Sequence, residues 1–215
     1  MEAKPDFKAM STQKKLGYVW DYYRFHILGI IVLVITTGSI IHHYATLKES
    51  VLDMLFLNAH AIEEPQKPFE DFLSARGYDL SDYEIRVTTS LRFALREGSY
   101  QEDYYTIQTL SALFAAGDLD IFTAPQQIYN DFASAGYVAD LRTVFTEDEL
   151  ASYGDMVIYT NLLETGEAFP SGFNLEGNPW MIENGYYDDG CYLSITANTD
   201  NPELTKEFIL YILNK

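Results

Sequence analysis

The chain has 215 residues, of which 47% are hydrophobic, and a formal net charge of −18 at pH 7. This length and composition suit one domain or two small domains folded around a core, and they exclude a chain that is disordered throughout. Residues 51–215 carry eight Lys and Arg and 28 Asp and Glu. Because nucleic-acid binding depends on basic side chains that neutralise phosphates, this composition argues against a nucleic-acid partner.

An apolar segment close to the N-terminus predicts a transmembrane helix. Residues 27–41, ILGIIVLVITTGSII, carry no charged side chain, and the wider span 25–47 supplies the roughly 20 residues that cross a hydrocarbon core of about 30 Å. Trp20 precedes the apolar segment and Tyr44 follows it, as expected of aromatic residues at the two membrane interfaces. A buried core helix is the alternative interpretation of so short an apolar run.

The basic residues beside this segment predict its orientation. Lys14, Lys15 and Arg24 precede it, whereas only Lys48 follows it closely, and the positive-inside rule then puts the N-terminus in the cytoplasm. A cleaved signal peptide is the rival interpretation, but the residues after the apolar run offer no small-x-small cleavage site. We therefore predict an uncleaved, single-pass anchor in the cell membrane that contacts the lipid bilayer. The predicted parts are a cytoplasmic juxtamembrane segment, a transmembrane helix and an extracytoplasmic domain, at residues 1–24, 25–47 and 48–215.

Strand and helix patterns alternate in the first part of this domain. Strand patterns, either a continuous apolar run or an alternation of apolar and polar residues, occupy residues 51–57, 83–90 and 118–123. Each is followed by apolar residues at helical spacing and then by a glycine suited to ending a helix, at Gly77, Gly117 and Gly136. Residues 99–102, SYQE, match the capping box that starts a helix. This alternation predicts an α/β fold with a mainly parallel sheet flanked by helices.

The pattern becomes less regular in the second half of this domain. Residues 145–150 predict a short capped helix and residues 156–159 a strand, whereas residues 164–190 are rich in Gly, Pro and Asn and predict a long loop. A strand pattern then begins at Cys191, and Pro202 starts a final helix. Within that strand pattern the single cysteine is expected to be a small buried side chain rather than a nucleophile.

Three segments of this domain together carry a resemblance to a known family. They are the strand that opens the alternation, the stretch 115–141 with its motifs AGDLDIF and FASAGYVADL, and the C-terminal stretch 193–213. They resemble the extracellular solute-binding proteins of bacterial ABC importers, and the resemblance implies a shortened periplasmic-binding-protein type II fold over residues 50–215. Residues 20–31, WDYYRFHILGII, are similar to the opening of small uncharacterised, single-span membrane proteins of anaerobic Firmicutes.

The middle of the domain departs from the solute-binding family. A solute-binding protein closes two lobes around its ligand, whereas the residues between Leu141 and Cys191 are too few for a full second lobe. The resemblance then leaves three alternatives. The cleft is open on one side, a partner completes it, or the fold has lost ligand capture and become an interaction surface.

Candidate ligand-binding residues follow from the predicted sheet. In an open parallel sheet, ligands bind outside the carboxyl ends of the strands, where helix N-termini also offer N–H donors. This rule selects polar residues at or just beyond the ends of the three strand patterns: Asn58, His60, Thr88, Thr89, Ser90, Thr123, Gln126 and Gln127. Trp180 is added as a flat stacking surface of the kind that sugars and peptides use. The plainer interpretation makes the hydroxyl groups helix caps and the aromatic residues part of the core.

The sequence gives little support for a metal, a cofactor or catalysis. His42 and His43 are adjacent and so do not share a helical face, and residues 188–190, DDG, predict a turn rather than a calcium loop. The sequence contains no nucleophile elbow, zinc-protease, P-loop or dinucleotide-binding motif. We therefore expect no catalytic residue, no metal site and no cofactor.

Two functions remain as hypotheses. The first is a membrane-anchored extracytoplasmic module that recognises a small solute, peptide or glycan. The second is an interaction or scaffold domain that docks another membrane or envelope protein without holding a ligand. The Thr- and Gln-rich strand ends favour the first function, and the short middle of the domain favours the second.

Overall fold

A single long helix forms the described part of the first of two units. The computed structural model describes residues 11–97, 99–101 and 104–215, and the chain divides between Leu47 and Lys48. Residues 1–10 of the predicted juxtamembrane segment lie outside the described residues. Helix α1 occupies Thr12–Ala45, and its 34 residues extend about 51 Å at the usual helical rise.

Part of α1 meets the requirements for a membrane span. The stretch Trp20–Tyr44 is long and apolar enough to cross a membrane, and none of its apolar window is buried within the protein. This exposure disfavours the core-helix interpretation, because a core helix hides its apolar residues. A signal sequence would satisfy the same criteria of length and composition.

Within the described residues, the second unit has eight strands and six α-helices. The strands are β1 Glu49–Phe56, β2 Tyr83–Thr88, β3 Ala94–Arg96, β4 Ser99–Gln101, β5 Ile121–Ala124, β6 Val157–Asn161, β7 Ala168–Asn174 and β8 Tyr192–Ile195. The helices are α2 Glu70–Ala75, α3 Tyr104–Ala116, α4 Gln126–Ser134, α5 Glu147–Tyr153, α6 Pro179–Glu183 and α7 Pro202–Leu213.

Six of the strands form one mixed sheet in the order β2-β1-β5-β8-β7-β6. Strand β1 pairs in parallel with β2 and β5, whereas β8 is antiparallel to β5 and β7, and β6 is antiparallel to β7. Four strands therefore run in one direction, and β8 and β6 run in the other. The predicted α/β class with a helix-flanked sheet is confirmed in this mixed form, while the likeness to the periplasmic-binding-protein type II fold stays a prediction.

Helices cover both faces of the sheet. Along β1 and the residue after it, Leu52 and Phe56 belong to one hydrophobic core, whereas Leu55 and Leu57 belong to the other. Such alternation is expected of a strand that is buried on both faces, and it explains the nearly continuous apolar run in its sequence. Helices α2 and α7 pack into the first core, and α3 and α4 pack into the second.

The structure differs from the sequence prediction in two places. Ser99 does not cap a helix, because Ser99–Gln101 is strand β4, paired antiparallel with β3, and α3 begins only at Tyr104. Glu102, the other half of the predicted capping box, lies outside the described residues. The predicted loop at residues 164–190 contains β7 and α6, and β7 lies between β8 and β6 in the sheet.

Candidate functional site

A cavity of about 240 Å³ lies at the carboxyl ends of β1 and β5. Its lining includes Asn58 and His60, which follow β1, and Gln126, the first residue of α4. Because β8 runs antiparallel to β5, the first residue of β8, Tyr192, reaches the same end of the sheet and also lines the cavity. Three of the predicted residues therefore meet in one cavity at the position where α/β sheets usually hold ligands.

Asn58 holds the backbone around the cavity. Its φ of 60° is the left-handed conformation, which asparagine adopts more readily than most residues. Its Nδ2 donates to the carbonyl of Phe93 at 2.8 Å, and its Oδ1 accepts from the N–H of Phe93 at 2.8 Å. The N–H of Asn58 also donates to the carbonyl of Leu91. Asn58 therefore fixes the segment after β2 against the end of β1.

His60 connects the end of β1 to the loop between α6 and β8. Its Nε2 lies 3.1 Å from Oδ1 of Asp188, and its backbone N–H donates to the carbonyl of Tyr186 at 2.8 Å. The imidazole is about half exposed. This pairing brings a carboxylate from the predicted turn at residues 188–190 into the lining of the cavity.

Tyr187 lines the cavity and contacts Thr123 through its hydroxyl. The Tyr187 hydroxyl donates to the carbonyl of Leu57 at 3.0 Å, so the contact of 2.8 Å to Thr123 Oγ1 is donated by the threonine. Thr123 is completely buried, and this predicted residue therefore does not line the cavity. Burial raises the pKa of Tyr187 and of the neighbouring Cys191 thiol, so both stay protonated and the cysteine is a buried small side chain.

Four of the remaining predicted residues lie outside the lining. Gln127 Nε2 donates to Ser99 Oγ at 3.1 Å and so connects α4 to β4. The hydroxyl residues at the end of β2 do not reach the cavity; they are Thr88, Thr89 and Ser90. The neighbouring residues Gln126 and Gln127 thus differ, because only the first belongs to the cavity.

Trp180 packs at the border of a hydrophobic core. Its ring centroid lies 5.1 Å from that of Phe69 and 5.9 Å from that of Tyr186, which is completely buried. It does not line the cavity. The position of Trp180 agrees with the plainer interpretation, in which the aromatic residues of this region fill the core.

Nine residues of the lining were not selected from the sequence, and five of them besides Tyr187 carry a charged or phenolic side chain. These five are Tyr100, Glu176, Asp188, Asp189 and Tyr192. The acidic residues belong to stretches that predict only loop or turn, and the strand-end rule ignores the beginning of an antiparallel strand. An indication was nevertheless present, since the acidic DDG turn directly precedes the strand pattern that becomes β8.

The lining combines negative charge with the buried phenol of Tyr192. Glu176, Asp188 and Asp189 supply carboxylates, and within the described part of the chain no Lys or Arg belongs to the lining. Tyr192 is 8% exposed and its ring packs against Tyr129, with centroids 5.4 Å apart. Burial raises the pKa of Tyr192, and the charge of Glu176 raises it further, so its hydroxyl is neutral.

Neither a likeness to known proteins nor a metal-binding group among the described residues assigns a function to this site. Residues 11–97, 99–101 and 104–215 contain no group of three or more His, Cys, Asp or Glu side chains that could hold a metal ion. The chain matches no protein-family model, no curated protein and no solved structure. The proposals for its function therefore rest on the cavity and the helix described above.

Proposed function

We propose that the second unit binds a small polar solute in the cavity at the carboxyl ends of β1 and β5. The observation that supports this function best is the convergence there of polar side chains from separate parts of the chain, at the usual ligand position of an α/β sheet. The volume of about 240 Å³ is below the roughly 300 to 1,000 Å³ typical of ligand pockets. A single amino acid or monosaccharide therefore suits it better than a longer peptide or glycan.

We also propose that α1 stays attached as a membrane anchor, with the N-terminus in the cytoplasm and the second unit outside the cell. The length and apolarity of Trp20–Tyr44 support a span, and the excess of basic residues before it supports this orientation. Alkaline phosphatase fused after Lys215 should be active, and β-galactosidase fused there should be inactive. The reverse pattern would contradict the orientation.

An interaction domain is the second candidate function. Two observations support it. Tyr187 fills the space directly beyond Thr123, where the strand-end rule expects ligand contacts. Large apolar or aromatic side chains are also exposed away from the cavity, with Tyr104 at 78%, Tyr105 at 72% and Leu163 at 78%.

A thermal-shift screen separates the two functions. The full chain in detergent micelles is heated with a panel of sugars, amino acids, dipeptides and amines. A solute present at a hundredfold excess over its Kd should raise the Tm by about 5 to 10 °C. Gln126→Ala should reduce that shift, whereas Gln127→Ala, one residue outside the cavity, should leave it unchanged. Absence of any shift, together with a co-purifying membrane protein, would favour the interaction domain.

A further inference from the structure

The charges of the lining indicate which class of solute the cavity prefers. Among the described residues, the lining holds the three carboxylates of Glu176, Asp188 and Asp189 and no Lys or Arg. The imidazole of His60 faces only one of them, since its Nε2 lies 3.1 Å from Asp188 Oδ1, and it leaves the charges of Glu176 and Asp189 in place. An anionic solute would be repelled here, and a cationic solute would be attracted.

The hydroxyl of Tyr192 is a second observation, independent of these charges. The Tyr192 side chain is only 8% exposed, yet within the described ranges its hydroxyl has no hydrogen-bond partner. No fully enclosed side-chain polar atom is unpaired in those ranges, so this hydroxyl is accessible, and the side chain lines the cavity. A phenol held in place by its buried ring, with its oxygen open to the cavity, is a ready acceptor for an N–H group of a ligand.

The arrangement favours an organic cation over a metal ion. Calcium requires about six to eight oxygen ligands at short distance, and magnesium requires near-octahedral geometry. No group of acidic, histidine or cysteine side chains among the described residues is arranged in this way. The ring of Tyr100 in the lining can instead pack against an ammonium or guanidinium group.

We propose that the cavity selects a small organic cation that carries an ammonium or guanidinium group. The carboxylates of Glu176 and Asp189 neutralise the cation, and the Tyr192 hydroxyl accepts one of its N–H groups. The remaining oxygen of Asp188 adds negative charge at the mouth of the cavity. This inference rests on the proposed solute-binding function and names the ligand class for the same site.

Probes of equal length and different charge test this class directly. Putrescine, butane-1,4-diol and succinate each have a four-carbon chain, and agmatine replaces one ammonium group of putrescine by guanidinium. Isothermal titration calorimetry on the full chain in detergent micelles should give saturable binding for putrescine and agmatine only. The binding should weaken as salt is added, because salt screens the carboxylates.

Variants distinguish binding in the cavity from general attraction to an acidic protein. Asp189→Asn removes a carboxylate of the lining and should weaken binding about tenfold, the usual effect of losing one charge-assisted hydrogen bond. Tyr192→Phe keeps the ring, removes the hydroxyl and should weaken binding about fivefold. Glu164→Gln removes the same charge from an exposed position outside the cavity and should have no effect.

Three outcomes would overturn the inference in different ways. Binding of the diol or of succinate as strong as that of putrescine, and sensitive to Gln126→Ala, would remove the preference for cations but keep solute binding. An equal effect of Glu164→Gln and Asp189→Asn would show diffuse attraction in place of a selective cavity. Failure of putrescine and agmatine to bind, with no response in the thermal-shift panel, would contradict both the ligand class and the proposed function.

Discussion

Asp120 is a buried carboxylate at the opposite end of β5 from the cavity. It is 5% exposed, its Oδ2 accepts from the N–H of Asp53 at 2.9 Å, and its Oδ1 accepts from the hydroxyl of Thr199 at 2.6 Å. Burial, with a smaller contribution from the charges of Asp53 and Asp200, raises the pKa of Asp120 in spite of these two hydrogen bonds. The side chain thus connects β1, β5 and the segment before α7, at an electrostatic cost.

Replacing Asp120 by Asn should remove a pH dependence of stability. Because the pKa of Asp120 in the folded protein is raised above the ordinary 3.8, the folded protein binds this proton more tightly than the unfolded chain does. The free energy of unfolding therefore falls as the pH rises from 3.8 through the raised pKa. Asparagine is neutral and can direct its oxygen to Asp53 and its amide to Thr199. We expect Asp120→Asn to unfold at higher urea than the wild type at pH 7, with little difference near pH 3.

Urea unfolding of residues 48–215, which contain both hydrophobic cores, measures this effect across pH 3 to 8. The exposed variant Asp155→Asn serves as the control and should follow the wild type. Identical pH dependence in the wild type and Asp120→Asn would refute the role assigned to burial.

Gly172 in β7 allows a close approach that no other residue permits. A Cβ at this position would collide with the Tyr129 hydroxyl and the Leu193 carbonyl. Gly172→Ala should therefore lower the free energy of unfolding by about 3 kcal/mol, as expected of an overpacked core. Gly77→Ala is the matched control, because Gly77 has open space around it and a φ of 82°, which costs alanine only about 1 kcal/mol. A greater loss for Gly77→Ala in urea unfolding would refute the steric argument.

At the scale of elements, periodicity predicts helices that pack on one face. In α4 the buried residues are four that recur at helical spacing in the sequence: Ile128, Tyr129, Phe132 and Ala133. The patterns for β1, β2 and β5 likewise correspond to strands. These elements are predictable because the apolar residues in each local pattern are the residues that the folded structure buries wholly or in part.

Strand β7 was not predictable from local pattern. It contains Pro170 and Gly172, residues that are unfavourable in a strand interior. A register shift between Ile158 and Tyr159 adjusts its pairing with β6 next to Pro170, and Tyr129 packs against Gly172. Tyr192 of the cavity was not predictable either, because only the antiparallel pairing of β8 with β5 brings it to this end of the sheet.

Helix α5 depends on one charged capping residue. Glu149 accepts from the N–H of Thr146 at 2.7 Å in a capping box and from Lys206 Nζ of α7 at 2.8 Å. The Lys206 contact, with help from Thr146, lowers the pKa of Glu149 from its ordinary 4.5 to about 2. The contribution of Glu149 to stability is therefore complete above pH 4.5 and is lost as pH falls toward 2.

Glu149→Gln should separate the effect of the charge on stability from the effect of the capping box, because glutamine also completes a capping box. We expect lower stability than the wild type at pH 7 and a smaller loss of stability between pH 5 and pH 2, measured by urea unfolding. Glu147→Gln, in the same first turn, lacks the contact with Lys206 and should show neither effect. An unchanged acid dependence in Glu149→Gln would contradict the ion pair.

At the scale of the whole molecule, α1 and the second unit have separate roles. Both hydrophobic cores lie within Lys48–Lys215, so this unit should fold without α1. We predict that the full chain stays in the membrane pellet after carbonate extraction, whereas residues 48–215 are soluble with a Tm within a few degrees of the full chain. Release of the full chain, or a mass that reveals cleavage after residue 41, would contradict a retained anchor.

A crystal structure of the protein grown with putrescine would show whether the cavity holds an organic cation. We predict ligand density between Gln126 and Tyr192, with an amine within hydrogen-bond distance of the Tyr192 hydroxyl and of Asp189 or Glu176. Density elsewhere on the acidic surface, or a cavity that holds only water at saturating putrescine, would contradict this prediction.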